Sequence, residues 1–206
     1  MSEMLRADER LATGAGLRAL LIGASAGAFE ALRRLLPAVR ARHVATVVLV
    51  HQNARGDSLM HELFAQVAAL PCVGIDDKDP VRPGHVHFAP PGYHLLIERE
   101  GHFALSLDPP VNFSRPSIDV LFESAADAFG EHVAALVLTG ANDDGARGLG
   151  RVTARGGIGL VQDPQEAQHD AMPLAARRLG NPHAVLPLAK LTELLAGWAI
   201  NKRATA

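Results

Sequence analysis

The stretch Ala19-Leu-Leu-Ile-Gly-Ala-Ser-Ala-Gly-Ala-Phe-Glu-Ala-Leu32 joins an apolar run to a helical pattern. The apolar run predicts a buried strand, and the pattern after it predicts a helix. Gly23 and Gly27 are small enough for a sharp strand-to-helix turn. The turn places Ser25 at the carboxyl end of the strand, in front of the free N–H groups of the helix. The helix is expected to bury one side, formed by Phe29, Leu32, Leu35 and Leu36.

The position of Ser25 suits a nucleophilic hydroxyl, because its attack on a carbonyl creates an oxyanion that N–H groups stabilise. The alternative is a purely structural turn, since Gly-x-Ser-x-Gly is a short pattern. The stretch alone leaves both interpretations open.

Size and composition exclude several classes of protein. A chain of 206 residues suits one α/β domain, and a net charge of −2 argues against a nucleic-acid binder. The single cysteine, Cys72, excludes an intramolecular disulfide and suits a reducing compartment. The sequence contains no run of about 18 apolar residues, so no transmembrane helix is predicted. Met1–Arg10 lacks the apolar core of a signal peptide. We therefore expect a cytoplasmic protein.

Further apolar runs separated by helical patterns predict a doubly wound, mostly parallel α/β sheet. The strands expected after the first are Val44–Val50, Cys72–Ile75, Ala134–Leu138 and, as the last parallel strand, Ile158–Val161. Three short runs separated by turns predict an inserted antiparallel meander, formed by His85–Ala89, Tyr93–Glu98 and Phe103–Leu107. A helix capped by Asp57 or Ser58 is expected to turn its apolar residues inward, namely Leu59, Leu63, Phe64 and Val67.

Polar side chains follow three of the predicted parallel strands. Ser25 follows the first strand, His51 the second, and Asp143 or Asp144 the strand that ends at Leu138. Binding sites in such sheets lie beyond the carboxyl ends of the strands, where the winding reverses. The three residue types therefore predict a Ser-His-Asp triad, in which His51 takes the serine proton and the carboxylate fixes the imidazole tautomer. Each residue also has a structural alternative, such as a helix cap for the aspartate, and the pattern does not choose between the two aspartates.

Other kinds of site fit the sequence less well. A dinucleotide turn fails because Ser25 and Ala28 stand where the second and third glycines of Gly-x-Gly-x-x-Gly belong. His85 and His87 share a strand face without a nearby third ligand, so we assign no metal. Arg115 and His169 are interpreted as surface residues, although Arg115 could contact an acidic partner and His169 could line the cleft.

Several segments, in the same order along the chain, resemble the catalytic domain of the chemotaxis protein-glutamate methylesterases (CheB). They are Ile22-Gly-Ala-Ser-Ala-Gly27, Val50-His51, Phe88-Ala-Pro-Pro-Gly92, Pro109-Pro-Val-Asn112, Arg115-Pro-Ser-Ile-Asp-Val-Leu-Phe122, Leu138-Thr-Gly140, Asp144-Gly-Ala146, Gln162-Asp163 and Met172-Pro173. The resemblance covers about residues 18–200. Residues 1–16 are interpreted as a leader, and residues 17–206 as one methylesterase-like catalytic domain.

The resemblance also implies an activity and a set of site residues. Such enzymes hydrolyse methyl esters on glutamate side chains of chemoreceptor cytoplasmic helices, release methanol, and can deamidate particular receptor glutamines. Carried over by motif, Ser25 is the nucleophile, His51 the general base and acid, and Asp144 the orienting carboxylate. The backbone N–H groups of Ala26 and Ala141 are the expected oxyanion donors. No metal or organic cofactor is implied.

Some features depart from the family pattern. Ala28 and the pair Ala141-Asn142 stand where the family often has Gly and usually has Met-Gly. These replacements keep open a second hypothesis, a catalytically weak CheB-like binding or regulatory module for a receptor or signalling partner. Familiar members carry an amino-terminal receiver domain, and residues 1–16 are too short to be one. We therefore expect an excised catalytic domain or a stand-alone member with a separate regulator or none.

Overall fold

The structure, a computed structural model, describes residues 9–52 and 59–199. Its strands are β1 (Ala19–Ala24), β2 (Ala45–Val50), β3 (Cys72–Gly74), β4 (Val86–Phe88), β5 (His94–Ile97), β6 (Phe103–Ser106), β7 (Val133–Val137), β8 (Ile158–Gln162) and β9 (Ala184–Leu186). Its helices are α1 (Ala28–Leu35), α2 (Met60–Ala65), α3 (Ile118–Phe129), α4 (Ala146–Ala154), α5 (Ala171–Leu179) and α6 (Leu188–Gly197). Short 3-10 turns follow α1 and α3, at Leu36–Ala38 and Gly130–His132.

Seven parallel strands form the main sheet in the order β3-β4-β2-β1-β7-β8-β9. Strand β1 lies in the middle and is buried along its whole length, as its apolar run requires. Strands β5 and β6 form a separate antiparallel pair. The predicted fold class, a mostly parallel doubly wound sheet with an antiparallel insertion, is confirmed.

Two apolar cores cover the two faces of the sheet. One core joins Leu20 and Ile22 of β1 to helices α1 and α6, and the other joins Ala19 and Leu21 to helices α3, α4 and α5. The chain thus runs from β1 to β2 on one side and enters β7 on the other side of β1. The winding reverses beside β1, so the carboxyl end of β1 is where a binding site is expected.

Two strands differ from the sequence prediction. Strand β4, expected in the antiparallel meander, instead pairs in parallel with both β2 and β3, where Val86 lies opposite Thr46 and Cys72. Alternating side chains do not reveal strand direction, and burial of both faces places β4 in the main sheet. Strand β9 was not predicted, because its three half-buried residues at the sheet edge leave no strong apolar pattern.

The inward faces of two helices also differ from the prediction. In α1, Phe29 is 49% exposed while Leu32 and Leu35 are buried. Near α2, Phe64 is buried, but Leu59, Leu63 and Val67 are exposed. A helix of six residues packs through little more than one side chain, so most of its apolar pattern stays outside the core. The cap predicted at Asp57 or Ser58 lies outside the described residues.

The described part of the predicted leader packs on the domain. Residues 9–13 are helical, and the Trp198 indole donates a hydrogen bond to the carbonyl of Leu11. None of the helices among the described residues is long and apolar enough to cross a membrane.

Candidate active site

Ser25 follows the last residue of β1, at the carboxyl edge of the sheet. The register pairs Ala24 with Val50, so Ser25 and His51 leave neighbouring strands at the same level. The N–H of Ser25 donates to the carbonyl of Thr139, 3.0 Å away, which links the turn to the chain that leaves β7. The turn is therefore held by both strands that flank β1.

Gly27 closes this turn and begins α1 in a left-handed conformation, with φ of 81°. A Cβ at this position would lie 2.9 Å from the Thr139 hydroxyl oxygen, and that hydroxyl donates to the carbonyl of Ala26. The Thr139 N–H in turn donates to the side chain of Gln162. Glycine is therefore required both by the backbone angle and by the close contact.

His51 lies directly after β2 and connects two parts of the site. Its backbone N–H donates to the carbonyl of Ala24, 3.1 Å away. Its ring Nε2 lies 2.8 Å from Oδ2 of Asp144. The imidazole is 12% exposed and the carboxylate is fully buried.

Asp144 is the most heavily hydrogen-bonded side chain of the site. In the described chain, it accepts from five groups besides His51: Asn112 Nδ2, Ser117 Oγ and the backbone N–H groups of Ile118, Asp119 and Gly145. The N–H groups of Ile118 and Asp119 belong to the first turn of α3, whose positive end favours an ionised carboxylate. Burial raises the pKa of Asp144, but the hydrogen bonds from His51, these N–H groups and Ser117 outweigh burial and lower the pKa below its ordinary value.

The ionisation of Asp144 determines the tautomer of His51. An ionised carboxylate only accepts hydrogen bonds, so Nε2 of His51 carries the proton. In the neutral ring the lone pair then lies on Nδ1, which is the nitrogen able to accept a proton.

The structure also distinguishes the two candidate aspartates. Asp143 is exposed, and its carbonyl accepts a hydrogen bond from Ala146. Asp144 is turned inward to His51 and to α3. The sequence pattern alone left this choice open.

The serine side of the site is less constrained. Among the described residues, no hydrogen bond joins the Ser25 hydroxyl to His51, so the structure brings His51 and Asp144 together but leaves the Ser25–His51 contact unmade. Hydrogen bonds of this kind are often long or unmade in unliganded sites. The backbone N–H groups of Ala26 and Ala141 have no hydrogen-bond partner within the same described ranges.

Two clefts open beside these residues. The larger, of about 470 Å³, is lined by Ser25 together with Phe29, Val50 and Met60. The smaller, of about 280 Å³, is lined by His51 together with Pro110, Phe113, Ser114, Arg115 and Pro116. A substrate chain bound across both clefts would pass Ser25 and His51.

Other candidate groups have structural partners. Burial raises the pKa of the Cys72 thiol to about 11, so it is not a thiolate nucleophile near neutral pH. His85 and His87 contact the Pro83 carbonyl and the Arg82 backbone, and His169 is exposed. Across residues 9–52 and 59–199, no group of three or more His, Cys, Asp or Glu side chains could hold a metal ion.

Several residues of the site had no predicted role. Asn112, Ser117 and Asp119 lie in motifs that carried the family resemblance, but no local pattern connects them to Asp144. Arg115, interpreted as a surface residue, lines the smaller cleft and donates to the carbonyl of Leu107. Asn112 and Arg115 lie in a loop, and Ser117 and Asp119 lie at the start of α3. Neither position shows from sequence what the side chain contacts.

The chain is similar to proteins of one family along most of its length. The family model described as CheB methylesterase matches residues 20–195. A Leptospira interrogans protein, provisionally named protein-glutamate methylesterase/protein-glutamine glutaminase, is 39% identical over 177 residues, covering 85% of this chain and 92% of that protein. A Xanthomonas campestris protein-glutamate methylesterase/protein-glutamine glutaminase 1 is 37% identical over 189 residues, covering 90% of this chain and 53% of that protein. The chain thus spans about half the length of the Xanthomonas relative.

A solved structure shares the fold. The crystal structure of the Thermotoga maritima CheB methylesterase catalytic domain superimposes with a TM-score of 0.81 at 26% identity, covering 87% of this chain and 97% of that one. The family model and the two relatives agree on one family, and the solved structure shares its fold. The chain belongs to the CheB methylesterase family.

Proposed function

We propose that the protein is a protein-glutamate methylesterase that removes methyl esters from glutamate side chains of chemoreceptors and releases methanol. The family and the names of the relatives support this activity. The observation that carries it is the pairing of His51 with the buried, ionised Asp144, at the end of the strand next to Ser25.

Acylation begins with attack of the Ser25 hydroxyl on the ester carbonyl carbon. A serine hydroxyl is hardly ionised near neutral pH, so a base must take its proton. Nδ1 of His51 carries the lone pair and is the atom we assign to this role. Asp144 stabilises the resulting imidazolium and keeps the ring oriented.

The reaction then proceeds through an acyl-enzyme. The tetrahedral oxyanion accepts hydrogen bonds from the N–H groups of Ala26 and Ala141, which have no other partner among the described residues. The imidazolium returns its proton to the leaving methoxide, and methanol departs. Water, deprotonated by His51, then attacks the glutamyl ester on Ser25. The imidazolium returns that proton to the leaving Ser25 oxygen, and the glutamate carboxylate is released. The same steps with ammonia as the leaving group would deamidate glutamine, the second activity in the names of the relatives.

The central test is Ser25→Ala, followed by methanol release from membranes that contain methylated receptors. We expect kcat/KM to fall by about a thousandfold or more, because the variant cannot form the acyl-enzyme. A loss of only a few-fold would remove Ser25 from the nucleophile's role.

A serine-directed phosphonate probe tests the rival hypothesis of a non-catalytic binding module. The enzyme predicts stoichiometric labelling of Ser25 that is lost in His51→Ala. Absence of labelling in the unmodified protein, with receptor binding retained, would favour the binding module.

A further inference from the structure

A short turn beside the active site presents an exposed aromatic side chain. Val111 and Ser114 exchange backbone hydrogen bonds of 3.1 and 2.9 Å, and the two residues between them, Asn112 and Phe113, have φ angles of 50° and 59°. Phe113 is fully exposed at the tip of this turn and lines the smaller cleft together with His51. We refer to residues 111–114 as the rim turn.

The ends of the segment that carries the rim turn are fixed by neighbouring elements. The buried His94 ring donates from Nε2 to the carbonyl of Pro109, 3.1 Å away, and accepts at Nδ1 from the N–H of Ser117. The Arg115 guanidinium donates to the carbonyl of Leu107, 2.9 Å away. These contacts hold the segment on either side of the turn, but they do not reach its tip.

The side chain of Asn112 connects the rim turn to the buried acids. Its Nδ2 donates to Oδ2 of Asp119 at 2.9 Å and to Oδ1 of Asp144 at 3.1 Å. Asp119 is 2% exposed, and its other oxygen accepts from the N–H of Gly148 at 2.7 Å. One amide group thus bridges two buried carboxyls, and one of them is the partner of His51.

We propose that Asn112 is a positioning residue with two separable effects on the reaction. Through Asp144 it helps to hold the acid that orients His51. Through Asp119 it fixes the rim turn and places Phe113 against the bound receptor segment. This inference rests on the proposed methylesterase function and assigns to Asn112 a role that the sequence did not indicate.

The two effects change different kinetic constants. Weakening the support of Asp144 disturbs the ring that transfers the proton, and this lowers kcat. Releasing the rim turn removes an ordered apolar contact with substrate, and this raises KM. A hydrogen bond to a charged group is worth enough that its loss changes a rate by about ten- to a hundredfold.

The first variant is Asn112→Gly, which keeps the left-handed backbone accessible and removes the side chain that carries the amide. With a methylated receptor fragment as substrate, we expect kcat to fall about ten- to a hundredfold and KM to rise several-fold. The matched control is Asn181→Gly. Asn181 is also left-handed, with φ of 44°, but it is exposed and makes no hydrogen bond to Asp119 or Asp144. Both constants of the control should stay within about twofold of the unmodified protein.

A reciprocal exchange separates the two effects. In Asn112→Asp/Asp119→Asn, an amide at position 119 faces a carboxylate at position 112. The hydrogen bond that holds the rim turn is therefore restored. The new carboxylate at position 112 now faces Asp144 and donates nothing to it. We expect KM to return to within about twofold of the unmodified protein, while kcat stays at least about tenfold low.

Amide hydrogen exchange of Val111 and Ser114 measures how firmly Asn112 holds the rim turn. This measurement does not depend on catalysis. Exchange of both amides should be at least about tenfold faster in Asn112→Gly and should slow again in the exchanged pair. The Gly101 amide, which closes a turn with Glu98, serves as the internal reference.

The outcomes distinguish the inference from the function on which it rests. If the unmodified protein releases no methanol, the proposed function fails, and exchange at Val111 and Ser114 still decides whether Asn112 is the tether. If the unmodified protein is active, three results would each overturn the inference: unchanged kinetics in Asn112→Gly, unchanged exchange in that variant, or recovery of kcat together with KM in the exchanged pair.

Discussion

The two sides of the active site are built in different ways. On the acid side, Asp144 is fully buried, and in the described chain it accepts from five groups besides His51, two of them backbone N–H groups of α3. On the serine side, Ser25 is half-buried, makes no hydrogen bond to His51 among the described residues, and opens onto a cleft of about 470 Å³. Hydrogen bonds therefore fix the Asp144 carboxylate in one orientation, whereas the Ser25 side chain is free to change its orientation toward the cleft or His51.

This difference follows from what each side has to do. A buried carboxylate must be fully hydrogen-bonded, because an unsatisfied charge in the interior is costly. A serine that acts as a nucleophile must remain accessible to a substrate, so its hydroxyl faces the cleft. In the proposed mechanism, the fixed position of Asp144 holds His51 in one tautomer before substrate binds.

The largest effect is expected on the acid side, from Asp144→Asn. The amide can donate to His51 and reverse the tautomer, so kcat should fall by about a thousandfold or more. Steady-state hydrolysis measures this, and Asp143→Asn is the control, since Asp143 is exposed beside the same turn. Activity of Asp144→Asn within tenfold of the unmodified protein would contradict the assignment of the acid.

An intermediate effect is expected on the serine side, from Gly27→Ala. The new Cβ would lie 2.9 Å from the Thr139 hydroxyl at a φ of 81°, so we expect the free energy of unfolding to fall by about 1–3 kcal/mol. The control is Gly16→Ala, which has φ of 74° and the His132 Nδ1 atom, 4.0 Å away, as the nearest neighbour of its Cβ. Urea unfolding compares the two, and equal losses would show that the close contact does not matter.

The smallest effect concerns pH, where the two buried acids should act in opposite directions. The pKa of Asp144 is lowered on folding, so its ionised form contributes stability that is present above the unfolded pKa and is lost as the pH falls through the folded pKa. The pKa of Asp119 is raised by burial, so its contribution is present below the unfolded pKa and is lost as the pH rises through the folded pKa. Urea unfolding from neutral pH to about 3 measures both.

The pH prediction is read from differences between each variant and the unmodified protein. On acidification, the free energy of unfolding of the unmodified protein minus that of Asp144→Asn should decrease. The same difference taken with Asp119→Asn should increase. Parallel pH profiles for the two variants would show that the acids do not differ in this way.

Some parts of the fold could be predicted from local pattern, and others depended on longer-range contacts. The apolar runs of β1, β2 and β7 agree with the prediction, because a continuous apolar segment is a local signal. The direction of β4 depends on the strands it pairs with. The edge strand β9 has only three half-buried residues, which is too short for a recognisable sequence pattern. Phe29 and Leu63 match a helical pattern but stay about half exposed, although the Phe29 ring contacts that of Phe64.

For the site, the amino-acid sequence alone determined that Ser25 and His51 follow buried strands, since each apolar run and the polar residues after it are visible in the chain itself. Tertiary structure decided that Asp144 and not Asp143 faces His51, and that Asn112, Ser117 and α3 surround that carboxylate. The physical reason is distance along the chain: these groups are brought together by the packing of α3 against the turn after β7, and the pattern within each segment carries no information about that contact.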